Sequence, residues 1–309
     1  MVDLSIIIVS WNVAEVLAAC LDSILANQAA NLSSEIIVVD SGSSDHTTAL
    51  LHEHYPQIKL LAQSENLGFT RCNNIGLRAA AGRYLLLLNP DTEIMGDALA
   101  QMVAHLDANP DVGIVGPHTL NTDGTTQSTR RRFPTLATAL FESTWLRPFA
   151  PRSLLDRYYV ADVPDDTVTD VDWVQGSALL ARREVYAQLG GLDEGYVMYS
   201  EEMDWCKRAK DAGWRVVYLG TAHIKHHGGR STDQVTARRH IYFQQSKLRY
   251  FRKYHGWLAA QTLRGVLLLL YLWQLILEGL KGLIGHKRAL RRERVSAYWQ
   301  VLRSGLKVS

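Results

Sequence analysis

The first 120 residues alternate short apolar runs with stretches of helical periodicity, and this alternation restricts the fold more than any other feature. The strand candidates are Leu4 to Ser10, Ile36 to Asp40, Ile58 to Ala62, Tyr84 to Leu88 and Val112 to Gly116. Helical patterns lie near residues 13–28, 45–54, 69–81 and 97–108. Apolar runs separated by helices are typical of a parallel sheet covered on both faces. The sequence therefore predicts an α/β fold with a mostly parallel central sheet flanked by helices.

Polar residues fall where these predicted strands stop. Ser10-Trp11-Asn12 ends the first strand, Asp40-Ser41-Gly42-Ser43 ends the second, and Asn89-Pro90-Asp91 follows four leucines of the fourth. Open α/β sheets bind ligands at the carboxyl ends of their strands. On the residues alone, Asp40 and Ser43 either accept hydrogen bonds from a ribose or a base, or cap the next helix.

Charge is divided unevenly along the 309 residues. Residues 225–309 hold 17 Lys and Arg against 3 Asp and Glu, whereas residues 1–224 hold 16 against 28. This division predicts that the C-terminal part meets a polyanion or an anionic membrane. Cys20, Cys72 and Cys206 lack CxxC spacing and predict reduced thiols. An acid at position 3 and a short apolar run predict no cleaved signal peptide, so we expect a cytoplasmic protein.

Several phosphate-binding and metalloprotease motifs are missing from the sequence. No GxGxxG follows the first strand, and neither GxxxxGK[ST] nor HExxH occurs. A dehydrogenase or a P-loop enzyme would therefore lack its usual phosphate cradle. Acids at strand ends can instead hold a nucleotide through its ribose and base, and its diphosphate through a metal.

The stretch "ENLGFTRCNNIGLRAAAGRYLLLLNPD" (residues 65–91), with "VSWN" and "VVDSGSSD", resembles the donor half of the family 2 glycosyltransferases, which have the GT-A fold. Residues 174–229, which begin "VQGSALLARREVY", resemble the acceptor half. The resemblance covers roughly residues 3–255. It implies a glycosyltransferase domain at 1–255, with a donor-nucleotide half at 1–116 and an acceptor and catalytic half at 117–255. Residues 256–309 are expected to form a basic amphipathic helical extension.

The resemblance implies a donor site and a metal. Asp91 corresponds to the acid that ligates Mg²⁺ or Mn²⁺ on the donor diphosphate, and Asn89 replaces the first acid of the usual DxD motif. One carboxylate therefore stands where two often do, and His226 or His227 is expected to supply another ligand, unless both are exposed loop residues. The implied donor-binding residues are Ser10, Trp11, Asn12, Asp40, Ser43, Asn66, Gly68, Asn74, Asn89 and Asp91.

A second acidic group lies in "YSEEMDWCKRAKDAG", where helical periodicity begins near Ser200. Acids in the first turn of a helix are favourable whatever their function. The resemblance implies that Glu202 is the general base, with Glu201 or Asp204 as alternatives. It also implies that Gly176 approaches the acceptor, and Trp173 either stacks on a sugar or belongs to the core.

The C-terminal stretch "RGVLLLLYLWQLILEGLKGLIG" (264–285) combines apolar residues with a polar stripe that includes Arg264, Tyr271 and Glu278. Its uninterrupted apolar core is shorter than the roughly 20 residues of a spanning helix. Basic residues flank both ends, so we predict an in-plane or re-entrant helix on an anionic membrane, with packing on the body or in a dimer as the alternative. The expected location is peripheral, on the inner face of the cell membrane, with no nucleic-acid partner.

The resulting hypothesis is an inverting, metal-dependent glycosyltransferase that uses a nucleotide-diphosphate sugar. Its acceptor would be a saccharide or a polyprenyl-diphosphate-linked saccharide of a cell-surface polysaccharide. Residues 246–256 resemble bacterial rhamnosyltransferases of O-antigen or cell-wall assembly, which makes dTDP-rhamnose a candidate donor. A degenerate sugar-nucleotide-binding protein and a nucleotidyltransferase are the alternatives, although residues 10–15 hold none of the basic residues that the latter needs.

Overall fold

The computed structural model describes residues 2–29, 32–142, 144–228, 236–284 and 287–307. The strands are β1 (Leu4–Ser10), β2 (Ser34–Asp40), β3 (Lys59–Ala62), β4 (Tyr84–Leu88), β5 (Thr92–Ile94), β6 (Val112–Leu120), β7 (Thr126–Gln127), β8 (Arg130–Arg131), β9 (Val168–Val171), β10 (Trp173–Val174), β11 (Ala178–Arg182) and β12 (Arg215–His226). The helices are α1 (Ala14–Ala26), α2 (Thr47–His54), α3 (Phe69–Ala79), α4 (Ala98–Ala108), α5 (Leu136–Phe141), α6 (Arg152–Tyr159), α7 (Arg183–Leu189), α8 (Glu201–Asp211), α9 (Thr236–His255), α10 (Trp257–Leu283) and α11 (Arg288–Ser304).

The central sheet has the strand order β3-β2-β1-β4-β11-β6-β12-β5. Strands β3, β2, β1 and β4 run parallel, as do β6 and β12, whereas β11 is antiparallel to both β4 and β6. Ser10 and Asp40 are paired at the same end of β1 and β2. The predicted α/β class with a mostly parallel sheet is confirmed, and the polar ends of β1 and β2 lie at one edge.

Two apolar cores lie on opposite faces of this sheet because successive side chains of a strand point in opposite directions. In β1, Ile6 and Ile8 enter a core that contains Leu17 and Leu21 of α1. Ile7 and Val9 enter another core, which contains Trp205 of α8. Burial on both faces explains why the strands read as unbroken apolar runs.

By spatial contacts the chain divides into two compact units. The sheet unit comprises Met1–Phe133, Asp156–Glu194 and Glu201–Ser231, and the helical unit comprises Pro134–Leu155, Gly195–Ser200 and Thr232–Ser309. Each unit thus draws on separate parts of the sequence. The expected boundary at residue 255 stays a prediction.

Helix α10 of the helical unit is longer than the sequence pattern predicts. It spans 27 residues and contains an 18-residue stretch with a mean hydropathy of 1.6, of which only 11% is buried. By length and composition it reaches the requirement for crossing a membrane, so the prediction that this segment is too short is wrong. Length alone does not distinguish a spanning helix from one that lies in the membrane plane. Residue 285 of the predicted segment lies outside the described residues.

Candidate active site

The first part of the site is a hydrogen-bonded cluster at the ends of β1 and β2. Ser10 Oγ donates to Asp40 Oδ1 at 2.9 Å, and both residues are buried. Ser43 donates twice to the same carboxylate, from its amide at 2.9 Å and from its hydroxyl at 2.5 Å. The Asn12 amide in turn donates to Ser43 Oγ at 2.9 Å. The structure therefore brings four of the predicted donor-binding residues together, and Trp11 lies between two of them, partly exposed.

Asp40 and Ser43 do not cap the next helix, which was the alternative interpretation. Helix α2 begins at Thr47, whose amide donates to Asp45 Oδ1 at 3.1 Å. The hydrogen bonds of Asp40 go to Ser10 and Ser43 instead. Asn12 adopts φ +52°, a left-handed conformation that Asn tolerates better than most residues.

Two loops pack together beside this cluster. Ser41 Oγ donates to Asn66 Oδ1 at 3.2 Å, and the same oxygen accepts from the Gly68 amide at 2.9 Å. Gly42 has φ +69°, and a Cβ there would lie 2.7 Å from the carbonyl carbon of Glu65. Only glycine permits this approach, which brings Asn66 and Gly68 next to the strand end.

Asn74 has a different set of contacts. Its side-chain amide donates to the Leu192 carbonyl at 2.9 Å and to Glu194 at 3.0 Å, and its oxygen accepts from the Leu192 amide at 2.9 Å. These bonds tie α3 to the loop after α7. The structure therefore places Asn74 in a scaffold contact, and its predicted role in donor binding stays a prediction.

The second part of the site follows β4. His226 Nε2 lies 3.2 Å from Asp91 Oδ1, and both side chains are less than a tenth exposed. His226 ends β12, which pairs with β5 in a register that sets His226 opposite Thr92. The antiparallel pairing of two distant segments thus brings this histidine to the predicted metal acid.

The contacts of His226 fix the orientation of its ring relative to Asp91. Its Nδ1 lies 2.6 Å from Gln127 Oε1, and because an amide oxygen can only accept, Nδ1 carries the proton. In the neutral ring, Nε2 then presents a lone pair to the Asp91 carboxylate. Two facing acceptors repel unless a proton or a metal ion lies between them. Asn89 Nδ2, at 3.4 Å from Nε2, completes the group.

His227 is held elsewhere. Its Nε2 lies 2.5 Å from Glu93 Oε1, and its backbone amide donates to the Asp91 carbonyl at 2.9 Å. The hydrogen bond from His227 is the main cause that lowers the pKa of Glu93, which also pairs with Lys225. Within the described residues, no group of three or more His, Cys, Asp or Glu side chains could hold a metal. A cation here would rely on Asp91, His226 and oxygen ligands from outside this set.

The third part of the site is the first turn of α8. Gly176 lies beside Glu202, since a Cβ built on it would lie 3.5 Å from the Glu202 side chain, an ordinary van der Waals distance. The backbone carbonyl of Ser177, the next residue, accepts a hydrogen bond from the backbone N–H of Asn89 at 2.9 Å. Contacts through Gly176 and Ser177 therefore connect Glu202 with the end of β4, which is followed by Asp91 and its partner His226.

The environment of Glu202 favours a carboxyl group that holds its proton more tightly than usual. Burial raises its pKa, while backbone N–H groups of Glu202, Met203 and Gly176 and the charge of Arg131 act in the opposite direction. Its Oε2 atom is buried and has no hydrogen-bond partner among the described residues. A raised pKa makes a carboxylate a stronger base.

The two alternative acids differ from Glu202. Asp204 is fully buried and pairs with Arg208 at 2.9 Å, whose guanidinium also binds the carbonyls of Leu189 and Gly191. Asp204 therefore anchors α8 to the preceding loop. Glu201 is buried as well, and burial together with the nearby Glu202 carboxylate raises its pKa well above the ordinary value.

Sequence reasoning overlooked Gln127, which contacts His226, whereas Arg131 lies in the arginine run of residues 130–132. Trp173 pairs with Arg131 across β10 and β8, and its indole N–H donates to the Arg132 carbonyl at 3.1 Å. The Arg131 guanidinium lies 4.5 Å from the ring centre of Tyr159 and 6.0 Å from that of Trp173. The sequence leaves two interpretations for the run "TRRRFP", a contact with phosphate on the donor or acceptor or a solvated loop, and the second is wrong for Arg130, which is 4% exposed.

These features define an α/β protein of the GT-A class, with polar groups at the ends of β1, β2 and β4 and acids in the first turn of α8. A solved structure, the mannosyltransferase PcManGT from Pyrobaculum calidifontis in complex with GDP-Man and Mn²⁺, shares the fold with a TM-score of 0.56. The two sequences are 18% identical, and the match covers 98% of this chain and 84% of that chain.

The model of glycosyl transferase family 2 matches residues 5–167. The chain is 30% identical over 249 residues to N-acetylglucosaminyl-diphospho-decaprenol L-rhamnosyltransferase of Mycobacterium tuberculosis, which covers 76% of this chain and 81% of that protein. It is 28% identical over 209 residues to rhamnosyltransferase WbbL of Escherichia coli K12, covering 60% and 70%. The chain belongs to glycosyl transferase family 2, and its class of reaction is sugar transfer.

Proposed function

We propose that this protein is an inverting glycosyltransferase that takes a sugar from a nucleotide diphosphate and is assisted by a divalent cation. The observation that carries the proposal is the connection of Glu202, through Gly176 and Ser177, to the strand end that bears Asn89 and Asp91. A base and a leaving-group site are needed on opposite sides of one sugar. Glu202 of α8, beside Gly176, would supply the base, and Asn89 and Asp91 after β4 would supply the leaving-group site.

The donor nucleotide would lie over the cluster of Ser10, Asn12, Asp40 and Ser43. Buried Asp40 holds the Ser43 loop through two hydrogen bonds, so polar groups are kept in position for a ribose or a base. Asp91 and His226 would hold Mg²⁺ or Mn²⁺, which when bound offsets the negative charge on the diphosphate. Gln127 orients His226 and leaves its Nε2 available as a ligand.

Glu202 would act as the general base. The acceptor hydroxyl attacks the anomeric carbon as its proton passes to the Glu202 carboxylate, and the bond to the diphosphate oxygen breaks with its electron pair. One displacement of this kind inverts the anomeric centre. The carboxylate must be unprotonated before the reaction, and the neighbouring Arg131 charge favours that form.

The relatives favour rhamnose as the transferred sugar and a lipid-linked saccharide as the acceptor. Two of them are rhamnosyltransferases, and the name of the mycobacterial enzyme describes a diphospho-decaprenol acceptor. We therefore propose dTDP-rhamnose as the donor and a polyprenyl-diphosphate-linked saccharide of a surface polysaccharide as the acceptor.

Such an acceptor requires access to a membrane, and α10 offers an apolar surface for this contact. Its exposed side is apolar, with Leu269 67%, Trp273 49% and Leu280 53% exposed. Its polar stripe faces the protein: buried Glu278 pairs with Arg291 of α11, and Arg264 donates to the Gly305 carbonyl at 2.7 Å. A helix that buries its acid and exposes its leucines is the reverse of a water-facing helix. We propose that this side lies in the inner face of the cell membrane, with the surrounding basic residues on anionic headgroups.

The first test offers nucleotide sugars, dTDP-rhamnose among them, with Mn²⁺ and N-acetylglucosaminyl-diphospho-polyprenol. Glu202→Gln keeps the shape of the side chain but removes the base, so we expect kcat to fall by about 10²–10⁴-fold. Glu184→Gln, an exposed residue of α7, is the matched control. Wild-type turnover in Glu202→Gln would exclude this base, and Glu201 and Asp204 would then be tested in the same way.

The second test concerns the cation. Asp91→Ala should abolish Mn²⁺-dependent turnover, and His226→Ala should raise the Mn²⁺ concentration needed for half-maximal rate. His227→Ala should have a smaller effect because its ring is held by Glu93. Donor turnover by the wild type that is lost in Asp91→Ala would argue against a degenerate binding protein.

A further inference from the structure

The helical unit contains an open cavity of about 370 Å³ that the proposed reaction does not use. This volume is near the lower end of the roughly 300–1,000 Å³ of small-ligand sites. Its walls come from Gly195 and Val197, from α9 and from Lys307 after α11. Arg249 and Lys307 both line it, and none of its lining residues is acidic. Its electrostatic character is therefore positive.

Arg249 is held in a defined position. Its guanidinium carbon lies 5.2 Å from the ring centre of Tyr196, a cation–π arrangement. It also lies against the backbone of Gly195, where a Cβ would overlap the guanidinium. The glycine at this position thus allows the arginine to pack flat on the chain. A guanidinium fixed in this way is well suited to bind phosphate oxygens with two hydrogen bonds.

The other cation and the polar wall are also fixed in place. Gln245 Nε2 donates to the backbone carbonyl of Lys307 at 2.8 Å, which ties the end of the chain to α9. Ser246, 4% exposed, donates to the Met198 carbonyl at 2.7 Å and holds residues 195–200 against the same helix. Tyr242 adds a phenol group to the lining. Three separate segments therefore converge on one positively charged cavity.

We propose that this cavity binds a diphosphate or phosphate group through Arg249 and Lys307. Assigning that anion to the diphosphate of a lipid-linked acceptor rests on the proposed function. The residues that follow Val197 of the lining have an unusual backbone conformation. Tyr199 and Ser200 have φ values of +70° and +66°, an unusual pair for residues other than glycine. Such strain is kept only where the surrounding structure determines it.

The test measures binding of inorganic pyrophosphate to the full chain by calorimetry, with EDTA present so that no cation bridges the ligand to Asp91. Arg249→Met should weaken binding by at least about tenfold, because it removes a charge-assisted bidentate contact. Lys307→Met should weaken it about threefold to tenfold, because an exposed ammonium is a less directional partner. Arg303→Met, an exposed residue of α11, is the matched control and should bind as the wild type does.

Arg249 packs on Tyr196, so its replacement can disturb the fold. Lys307 is exposed and keeps the test valid in that case. Equal pyrophosphate affinity in the wild type and Lys307→Met, or no binding by the wild type at millimolar concentrations, would overturn the proposal. A dependence on Lys307 seen only with phosphatidylglycerol vesicles, and not with pyrophosphate, would also overturn it, because the ligand would then be a phospholipid headgroup.

The source of the anion is tested by kinetics. If it belongs to the acceptor, Lys307→Met raises KM for a prenyl-diphosphate-linked acceptor severalfold and leaves kcat and KM for the donor unchanged. Lys307-dependent pyrophosphate binding without glycosyl transfer would refute the proposed function and still support the cavity as an anion-binding site. Glycosyl transfer without Lys307-dependent pyrophosphate binding would refute the cavity as an anion-binding site and still support the proposed function.

Discussion

Four consecutive leucines occur twice in this chain, and the two runs have opposite environments. Leu85–Leu88 form β4, where all four side chains are at most 3% exposed. Leu267–Leu270 lie in α10, where Leu267 is 1% exposed but Leu269 is 67% exposed. The same four letters thus produce a buried strand in the sheet unit and a helix with one bare side in the helical unit.

The difference follows from geometry. In a strand, successive side chains alternate between two faces, and helices cover both faces of β4, so every leucine is buried. In a helix, successive side chains are turned by about 100°, so four in a row point around most of the axis. Only the side of α10 that meets its neighbours is covered. The buried leucines support the strand end that carries Asp91, whereas Leu269 belongs to the exposed apolar side of α10.

The largest expected effect tests this contrast directly. Leu86→Ala removes a side chain from the packed core, and we expect the free energy of unfolding to fall by about 2–5 kcal/mol. Leu269→Ala alters an exposed position and should change it by no more than about 0.5 kcal/mol. Chemical denaturation of both variants measures the difference. Similar losses would mean that α10 is packed against protein in solution.

The second prediction concerns membrane binding. The double variant Leu269→Ser with Ile276→Ser should bind vesicles of phosphatidylcholine and phosphatidylglycerol at least about tenfold more weakly, because two apolar side chains no longer enter the lipid. Val168→Ser, a half-exposed apolar residue of β9, is the control and should bind as the wild type does. Co-sedimentation at several salt concentrations separates the apolar contribution to binding from the electrostatic one, because salt screens the attraction to anionic headgroups. Unchanged binding of the double variant would exclude this side of α10.

The two units also differ in their buried ionisable groups. Burial raises the pKa of Glu202 in the sheet unit, and a general base must be unprotonated. We therefore expect kcat/KM to fall as the pH decreases through a value above the ordinary glutamate pKa of 4.5. The pH profile of kcat/KM measures this limb, and Glu202→Gln should lack it in its residual activity. A limb retained in that variant would assign the titration to another group.

The helical unit shows the reverse case. Burial lowers the pKa of Lys247 to about 8, from 10.5. Between these values the unfolded chain binds the proton and the folded chain does not, so stability rises with pH and is lost as the pH falls through 8. The slope is at most about 1.4 kcal/mol per pH unit. Denaturation from pH 7.5 to 10 should show a smaller slope in Lys247→Met, while Lys253→Met, exposed on the same helix, should match the wild type.

Sequence reasoning predicted the sheet unit well because its signals are local. The bounds of β1 and β4 agree with the predicted runs, and the polar residues that follow them lie at one sheet edge, as expected. It could not separate His226 from His227, since only the pairing of β12 with β5 decides which ring meets Asp91. It also missed Gln127, whose contact with His226 joins segments far apart in sequence.

In the helical unit, the sequence pattern predicted less of the tertiary structure. The polar stripe of α10 is visible in the sequence, but whether that stripe faces water or protein depends on α11, whose Arg291 pairs with Glu278. Likewise, nothing local predicts that residues 134–155 and 195–200 group with the C-terminal helices.

By itself, the sequence determined which segments become strands and helices, where polar groups follow the strands, and which family the chain resembles. These properties depend on periodicity and on neighbouring residues, which are written directly in the chain. Only the tertiary structure decided that His226 faces Asp91, that Glu202 lies against Gly176, and that α10 turns its apolar side outward. Each of these depends on contacts between distant segments, and local sequence periodicity does not predict which distant residues come into contact.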